Sequence, residues 1–182
     1  RASQPPTGKQ IVRGAQAAAA VGHQHVVTIH AVDEDRLPYL VMECIVGQSL
    51  KEKIDREGHL KLIEILRIGQ QVASGLAAAH AQGLVHRDIK PSNILVESGI
   101  ERSLITDFGL ARAADDASLT NTGYHPGTPQ YMSPEQARGD AMDSRSDLFS
   151  LGSVIYTMCT GRAPFRAETS YGILRRITDT QP

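Results

Sequence analysis

The chain has no tryptophan and only three phenylalanines and five tyrosines in 182 residues. So few rings offer no stacking platform for single-stranded nucleic acid. No basic stripe replaces them: 19 Lys and Arg face 20 Asp and Glu, mixed in sign along the sequence, and nucleic acid is excluded as a main partner. Cysteine is limited to Cys44 and Cys159, far apart and among apolar neighbours in sequence. That usage suits a reducing cytoplasm and argues against a disulfide framework. No apolar run approaches the ~20 residues that span a bilayer, so no membrane contact is expected within this chain, and any anchor would lie outside the segment. The opening RASQPPTGKQ carries neither an initiator Met nor the apolar stretch of a secretory signal. Its polar, Pro- and Gly-containing character predicts a disordered lead over residues 1–10.

What is present is enough for one domain with a real core. An Ala-rich stretch over residues 11–21 reads as a helix, although Gly14 inside it costs ~1 kcal/mol relative to Ala. Residues 25–32 and 38–42 read as two short strands around the acidic turn Asp33-Glu34-Asp35. Ser49 is a plausible N-cap for a short helix that ends near Gly58. Apolar positions 62, 65, 66, 68, 72, 76 and 79 recur at a helical period, and Gly83 sits where a helix stop is expected. Residues 94–96 and 103–105 read as brief strands joined across Ser98-Gly99. From Phe108 to about Met132 there is no periodic signal, and a loop of that length in a compact domain is usually functional. Helical patterning returns over residues 146–160 and 170–177.

The chemistry concentrates in His86-Arg87-Asp88-Ile89-Lys90-Pro91-Ser92-Asn93, followed fourteen positions later by Asp107-Phe108-Gly109. A carboxylate such as Asp88 can orient an acceptor hydroxyl and take its proton. Lys90 can neutralise charge on a moving phosphoryl group, and Pro91 restricts Lys90 to extended backbone. Asn93 and Asp107 supply the hard oxygen ligands that Mg²⁺ (or Mn²⁺) takes together with phosphates. His23, His25 and His30 also invite a metal reading, but no Cys or carboxylate pattern of a zinc site accompanies them.

Order and separation of these two motifs resemble the catalytic loop and magnesium loop of protein kinases. The similarity extends along most of the chain. Residues 23–50 resemble the link from the regulatory helix through two strands into the hinge of a bacterial Hanks-type (eukaryotic-like) Ser/Thr kinase. GTPQYMSPE at 127–135 resembles the end of an activation segment, and DLFSLG at 147–152 the central helix of the large lobe. The resemblance implies an α+β, two-lobed fold present in part. Residues 11–45 would form a small-lobe remnant of one helix and two strands with the hinge, and residues 46–182 a large lobe without its last helices.

It also implies roles. Asp88 and Lys90 would be catalytic and act on Ser/Thr of protein substrates, with ATP as co-substrate and self-association compatible with autophosphorylation. Met42 would be the gatekeeper, Glu43 and Ile45 would offer backbone groups to adenine, Leu95 would close the pocket from below and Ser49 would reach the ribose. His86 and Phe108 would stack, Gly109 would permit the sharp turn after them, and Asp147 would accept hydrogen bonds from the catalytic loop's backbone. Arg87 would await a counter-charge, with Ser118 and, preferred, Thr120 and Thr122 as candidate phosphosites. Thr128 would bridge Asp88 and Lys90.

Departures from the family pattern lower the expected activity. There is no Gly-rich phosphate loop and no Val-Ala-x-Lys strand; Lys9 lies too near the first helix to substitute, and Gly14 stands where the pairing Glu is expected. Glu135 would lack its usual Arg partner, leaving part of the large-lobe core open. Positioning supplies most of the catalysis in phosphoryl transfer, so these 182 residues by themselves are expected to transfer little phosphate. The alternative is a pseudokinase-like binding or scaffolding module. A hydrolase built on His86 and Asp88 finds no nucleophile elbow or metal cluster.

Overall fold

The computed structural model describes residues 16–33, 39–108 and 129–179. Its elements are β1 (Ile29–Asp33), β2 (Tyr39–Met42), β3 (Gly47–Ser49), α1 (Leu50–Glu57), α2 (Leu62–His80), β4 (Ile94–Glu97), β5 (Ser103–Ile105), α3 (Pro134–Arg138), α4 (Ser144–Thr160) and α5 (Ser170–Asp179). Short 3-10 turns lie at Pro91–Asn93 and Pro129–Tyr131. Residues 16–19 are helical and belong to the first expected helix. Residues 1–15, including Lys9 and Gly14, the turn residues Glu34 and Asp35, and the activation-segment residues Gly109, Ser118, Thr120, Thr122 and Thr128 lie outside the described residues.

Two helices organise the core. Along α2 the buried positions are Ile65, Ile68, Gly69, Val72, Gly75, Leu76 and Ala79, a single stripe at spacings of three and four. Leu62 and Leu66, expected in that stripe, are 70% and 59% exposed. The stripe is completed by small residues, which an apolar count overlooks. Gly75 shows why: a Cβ there would sit 2.9 Å from the His25 carbonyl oxygen and 3.0 Å from Ile105 Cδ1. The helix therefore approaches the backbone more closely than any side chain allows. Against α2 lies α4, which starts at Ser144 under an Asp143 cap, two residues before the expected start, and ends at Gly161 with φ 72°, a left-handed stop. Leu50, Ile68, Leu76, Ile94, Ile105, Val154 and Met158 are fully buried and join α1, α2, α4 and the sheet. Each stabilises the fold by roughly 1.5–3 kcal/mol before entropy is counted.

The strands form two antiparallel groups, β1-β2 and β3-β4-β5. The first expected strand begins four residues late. Residues 25–28 instead run beside β5: Val27 N–H donates to the Ile105 carbonyl and Ile105 N–H to the His25 carbonyl, both at 2.9 Å. Alternating apolar residues read alike for a strand and for such a bridge. The strand β3, read from sequence only as the lead into a helix, pairs with β4 from Gly47 opposite Glu97 to Ser49 opposite Leu95. Ser49 then caps α1, its hydroxyl accepting from Glu52 N–H while the Glu52 carboxylate returns to the Ser49 amide. Helix α3 had no counterpart in the sequence reading. Its signal was there: Ser133 caps it, Pro134 opens it and Gln136 closes a capping box, a Ser-x-x-Gln pattern.

Both cysteines are exposed. Among the described residues no helix is long and apolar enough to cross a membrane.

Candidate active site

The loop from His86 to Asn93 is held from beneath by one side chain. Asp147, in the first turn of α4 and 1% exposed, accepts the amide of His86 at 2.8 Å on Oδ2 and that of Arg87 at 2.7 Å on Oδ1. The His80 imidazole, at the end of α2, bonds the same Oδ2 at 2.7 Å. Gln136 of α3 adds a bond from its side-chain amide to the Arg87 carbonyl at 2.7 Å. Arg87 needs this support because its φ is 70°, a left-handed backbone that a long side chain adopts only when its surroundings over-determine it. Neither His80 nor Gln136 was singled out from sequence. Gln136 was legible through the capping box; His80 had no signal of its own.

His86 is fully buried, edge-on to Phe108 with ring centroids 4.4 Å apart. Its neighbours fix the tautomer. The Thr106 carbonyl, 2.9 Å from Nε2, can only accept, so Nε2 carries the hydrogen; the Asp88 amide donates to Nδ1 at 3.2 Å. Burial holds the imidazole's pKa below its ordinary value, outweighing the raising influence of the Thr106 bond and of Asp147. His86 is thus a neutral packing and hydrogen-bonding group.

Asp88 is half-buried. Its Oδ2 receives Lys90 Nζ at 2.7 Å and the Asn93 amide nitrogen at 3.0 Å; that amide also donates to the Asp88 carbonyl at 2.9 Å. Among the described residues Oδ1 takes no hydrogen bond. Asn93 is fixed by the turn at Pro91–Asn93 and by Thr106 N–H, which donates to its carbonyl at 3.0 Å. Because its amide nitrogen is turned to Asp88, its Oδ1 faces away and accepts only a long bond, 3.4 Å, from Ser92. Asp107 is exposed at φ 62°, a second left-handed residue at the head of the loop, and its carboxylate has no partner among the described residues. An amide oxygen and a carboxylate left open in this way fit Mg²⁺, which keeps several waters and shares its coordination with phosphates. No cluster of three or more His, Cys, Asp or Glu suited to a metal occurs among the described residues; His23 and His25 are instead engaged by Ser74 and the Ser103 carbonyl.

The residues expected to form the hinge begin at Met42, the last residue of β2. Met42 lines a crevice of about 20 Å³ with Leu40, Thr106, Asp107 and Phe108. Glu43 donates its amide to the Thr28 carbonyl at 2.8 Å, and its carboxylate binds Arg102 at 2.8 Å. That bond to Arg102 is the main reason the Glu43 carboxyl lies below its ordinary pKa. Ile45 is half-buried, and its amide has no hydrogen bond among the described residues. Leu95 is half-buried in β4 opposite Ser49 and Leu104. The Ser49 hydroxyl bonds Glu52 and caps α1.

Glu135, expected to lack a partner, accepts the Ser146 hydroxyl. Burial works to raise its pKa, yet this bond together with those from its own amide and from Ser133 brings it below the ordinary value. Glu135 therefore has a hydrogen-bond partner in the short Ser146 side chain at the start of α4. The Arg87 Nε is buried and has no hydrogen-bond partner among the described residues. Beside Lys90 opens a groove of about 360 Å³ lined by Lys51, Ile54, Pro91, Gln130, Tyr131 and Ala163.

Residues 1–181 match the family model of the protein kinase domain. The chain is 40% identical over 169 residues to a probable serine/threonine-protein kinase of Clostridium acetobutylicum, covering 92% of this chain and 26% of that one. It is 41% identical over 162 residues to the serine/threonine-protein kinase PrkC of Bacillus subtilis, covering 88% and 25%. The PknI kinase domain of Mycobacterium tuberculosis superposes with a TM-score of 0.71 at 27% identity, covering 87% of this chain and 59% of that one. The chain spans about a quarter of the length of the curated relatives it matches. On the match of nearly its whole length, the chain belongs to the protein kinase domain family.

Proposed function

We propose that the chain is the part of a serine/threonine protein kinase that handles the acceptor hydroxyl and magnesium, in transfer of the ATP γ-phosphoryl group to Ser or Thr of proteins. The observation that carries this reading is the state of Asp88: one carboxylate oxygen is held by Lys90 and Asn93, and the other takes no hydrogen bond among the described residues. A carboxylate held in that way can orient an incoming hydroxyl and accept its proton. Lys90 stands within reach of the same space and would offset charge on the transferred group. Asn93 Oδ1 and Asp107 would hold Mg²⁺ (or Mn²⁺), whose charge, when bound, neutralises that of the phosphates.

The remaining assignments follow the same reading. Residues 11–45 would serve the nucleotide through the hinge carbonyl of Glu43 and amide of Ile45, with Met42 and Leu95 bounding the base. Residues 46–182 would take the protein substrate, its chain passing along the groove beside Lys90. The buried Arg87 Nε, without a hydrogen-bond partner among the described residues, suits a phosphate on Thr120 or Thr122, added by a second copy. ATP supply points to the cytoplasm as the place of reaction.

A chimera tests the proposal: residues 46–179 replace the matching stretch of the Bacillus subtilis PrkC kinase domain, and transfer from ATP to Ser/Thr peptides is measured. Transfer is expected, with Asp88→Asn and Asp107→Asn each lowering it by about a hundredfold or more. Transfer unaffected by Asp88→Asn would sink the reading.

A further inference from the structure

Arg102 belongs to neither the catalytic loop nor the hinge, yet it joins Glu97 at the end of β4 to Glu43 just after β2. It sits at the base of the β4–β5 turn, where its carbonyl accepts the Glu97 amide at 2.8 Å. Its guanidinium then divides: Nε donates to Glu97 Oε2 at 2.7 Å and Nη2 to Glu43 Oε1 at 2.8 Å. Glu43, 59 residues away in sequence, is tied on its other side to the Thr28 carbonyl through its own amide. A second strut runs parallel, Ser98 N–H donating to the Val46 carbonyl at 2.9 Å. The side chains of Arg102 and Glu43 are each 28% exposed and that of Glu97 is 21% exposed. A planar guanidinium fork can satisfy two carboxylates at fixed angles, which an ammonium cannot.

We propose that Arg102 is a positioning residue for the nucleotide: by joining Glu43 to Glu97 it sets the angle at which the hinge leaves β2. It thereby fixes the two backbone groups, the Glu43 carbonyl and the Ile45 amide, that would read adenine. The inference rests on the nucleotide reading of the hinge given above. Its physical basis is preorganisation. The segment between β2 and β3 has few other ties, so without Arg102 part of the binding free energy is spent ordering it.

The test uses the whole chain and two readouts, Mg²⁺-ADP and Mg²⁺-GDP affinity by calorimetry and hydrogen exchange at the Glu43 amide. Arg102→Met keeps the aliphatic stem and removes both bonds. It is expected to weaken ADP binding about three- to tenfold with little change for GDP, and to speed exchange at the Glu43 amide. Arg102→Lys restores part of both effects. ADP affinity and Glu43 exchange both unchanged in Arg102→Met overturn the role of Arg102 while leaving the nucleotide reading in place. Failure of the unmodified chain to prefer ADP over GDP overturns the nucleotide reading of the hinge, and this inference with it. Equal weakening for ADP and GDP also overturns it, since that pattern marks general loosening and not placement of the base-reading groups.

Discussion

The catalytic loop and the β1-β2 ribbon are held in opposite ways. The loop carries a left-handed residue, Arg87, and is held by the buried Asp147, itself bonded to His80, by Gln136 and, through His86, by the Thr106 carbonyl. The ribbon has two strands and leaves Tyr39, Val41 and Met42 at 55%, 43% and 41% exposure. Two strands alone are marginal in water. The difference teaches where preorganisation resides. The groups proposed to handle hydroxyl and metal are set before any ligand arrives, whereas those proposed to read the nucleotide depend on a few ties such as Arg102.

Mutations should separate the two regions clearly. The largest effect is expected at Asp147→Ala, which strands two backbone amides and an imidazole in a buried site. Urea unfolding should show a loss of roughly 3–5 kcal/mol; a loss below about 1 kcal/mol would mean the loop is anchored elsewhere. Next comes Gly75→Ala, which forces a methyl against the His25 carbonyl and should cost about 1–3 kcal/mol. Ser49→Ala removes the cap of α1, and a loss of about 1 kcal/mol is expected in the same assay. In the ribbon, Val41→Ala should stay within about 0.5 kcal/mol.

Acidity gives a further contrast, and its sign is fixed by His86. The folded state holds this imidazole's pKa below its ordinary 6.5, first through burial. Below about 6.5 the unfolded chain therefore binds a proton that the folded chain refuses. Stability is fully present above that value and falls as pH drops from it toward the folded pKa. Urea midpoints from pH 7.5 to pH 5 should decline in the unmodified chain and decline less in His86→Gln; equal slopes would remove His86 as the cause.

Much of this was legible because local chemistry and tertiary role coincide. Ser49 and Gly83 punctuate helices by rules that act within a few residues, and the spacing of Asp88, Lys90, Asn93 and Asp107 carried the family resemblance. Three kinds of feature were not legible. The exposed Leu62 and Leu66 share the period of the buried stripe, and only the position of α4 and β5 decides which face is covered. His80 and Arg102 act through partners 67 and 59 residues away, a distance no local pattern encodes. The Ser146 bond to Glu135 shows a third limit: a carboxylate expected to lack a partner accepts a hydroxyl that neighbouring helices bring into reach.

Native-state hydrogen exchange on the unliganded chain is the most direct measure of the contrast. The account predicts that the His86 and Arg87 amides, bonded to Asp147, exchange only through global unfolding. Those of β1 and β2 should exchange through local opening, faster by about a thousandfold. Similar exchange in the two regions, or faster exchange in the catalytic loop, would contradict it.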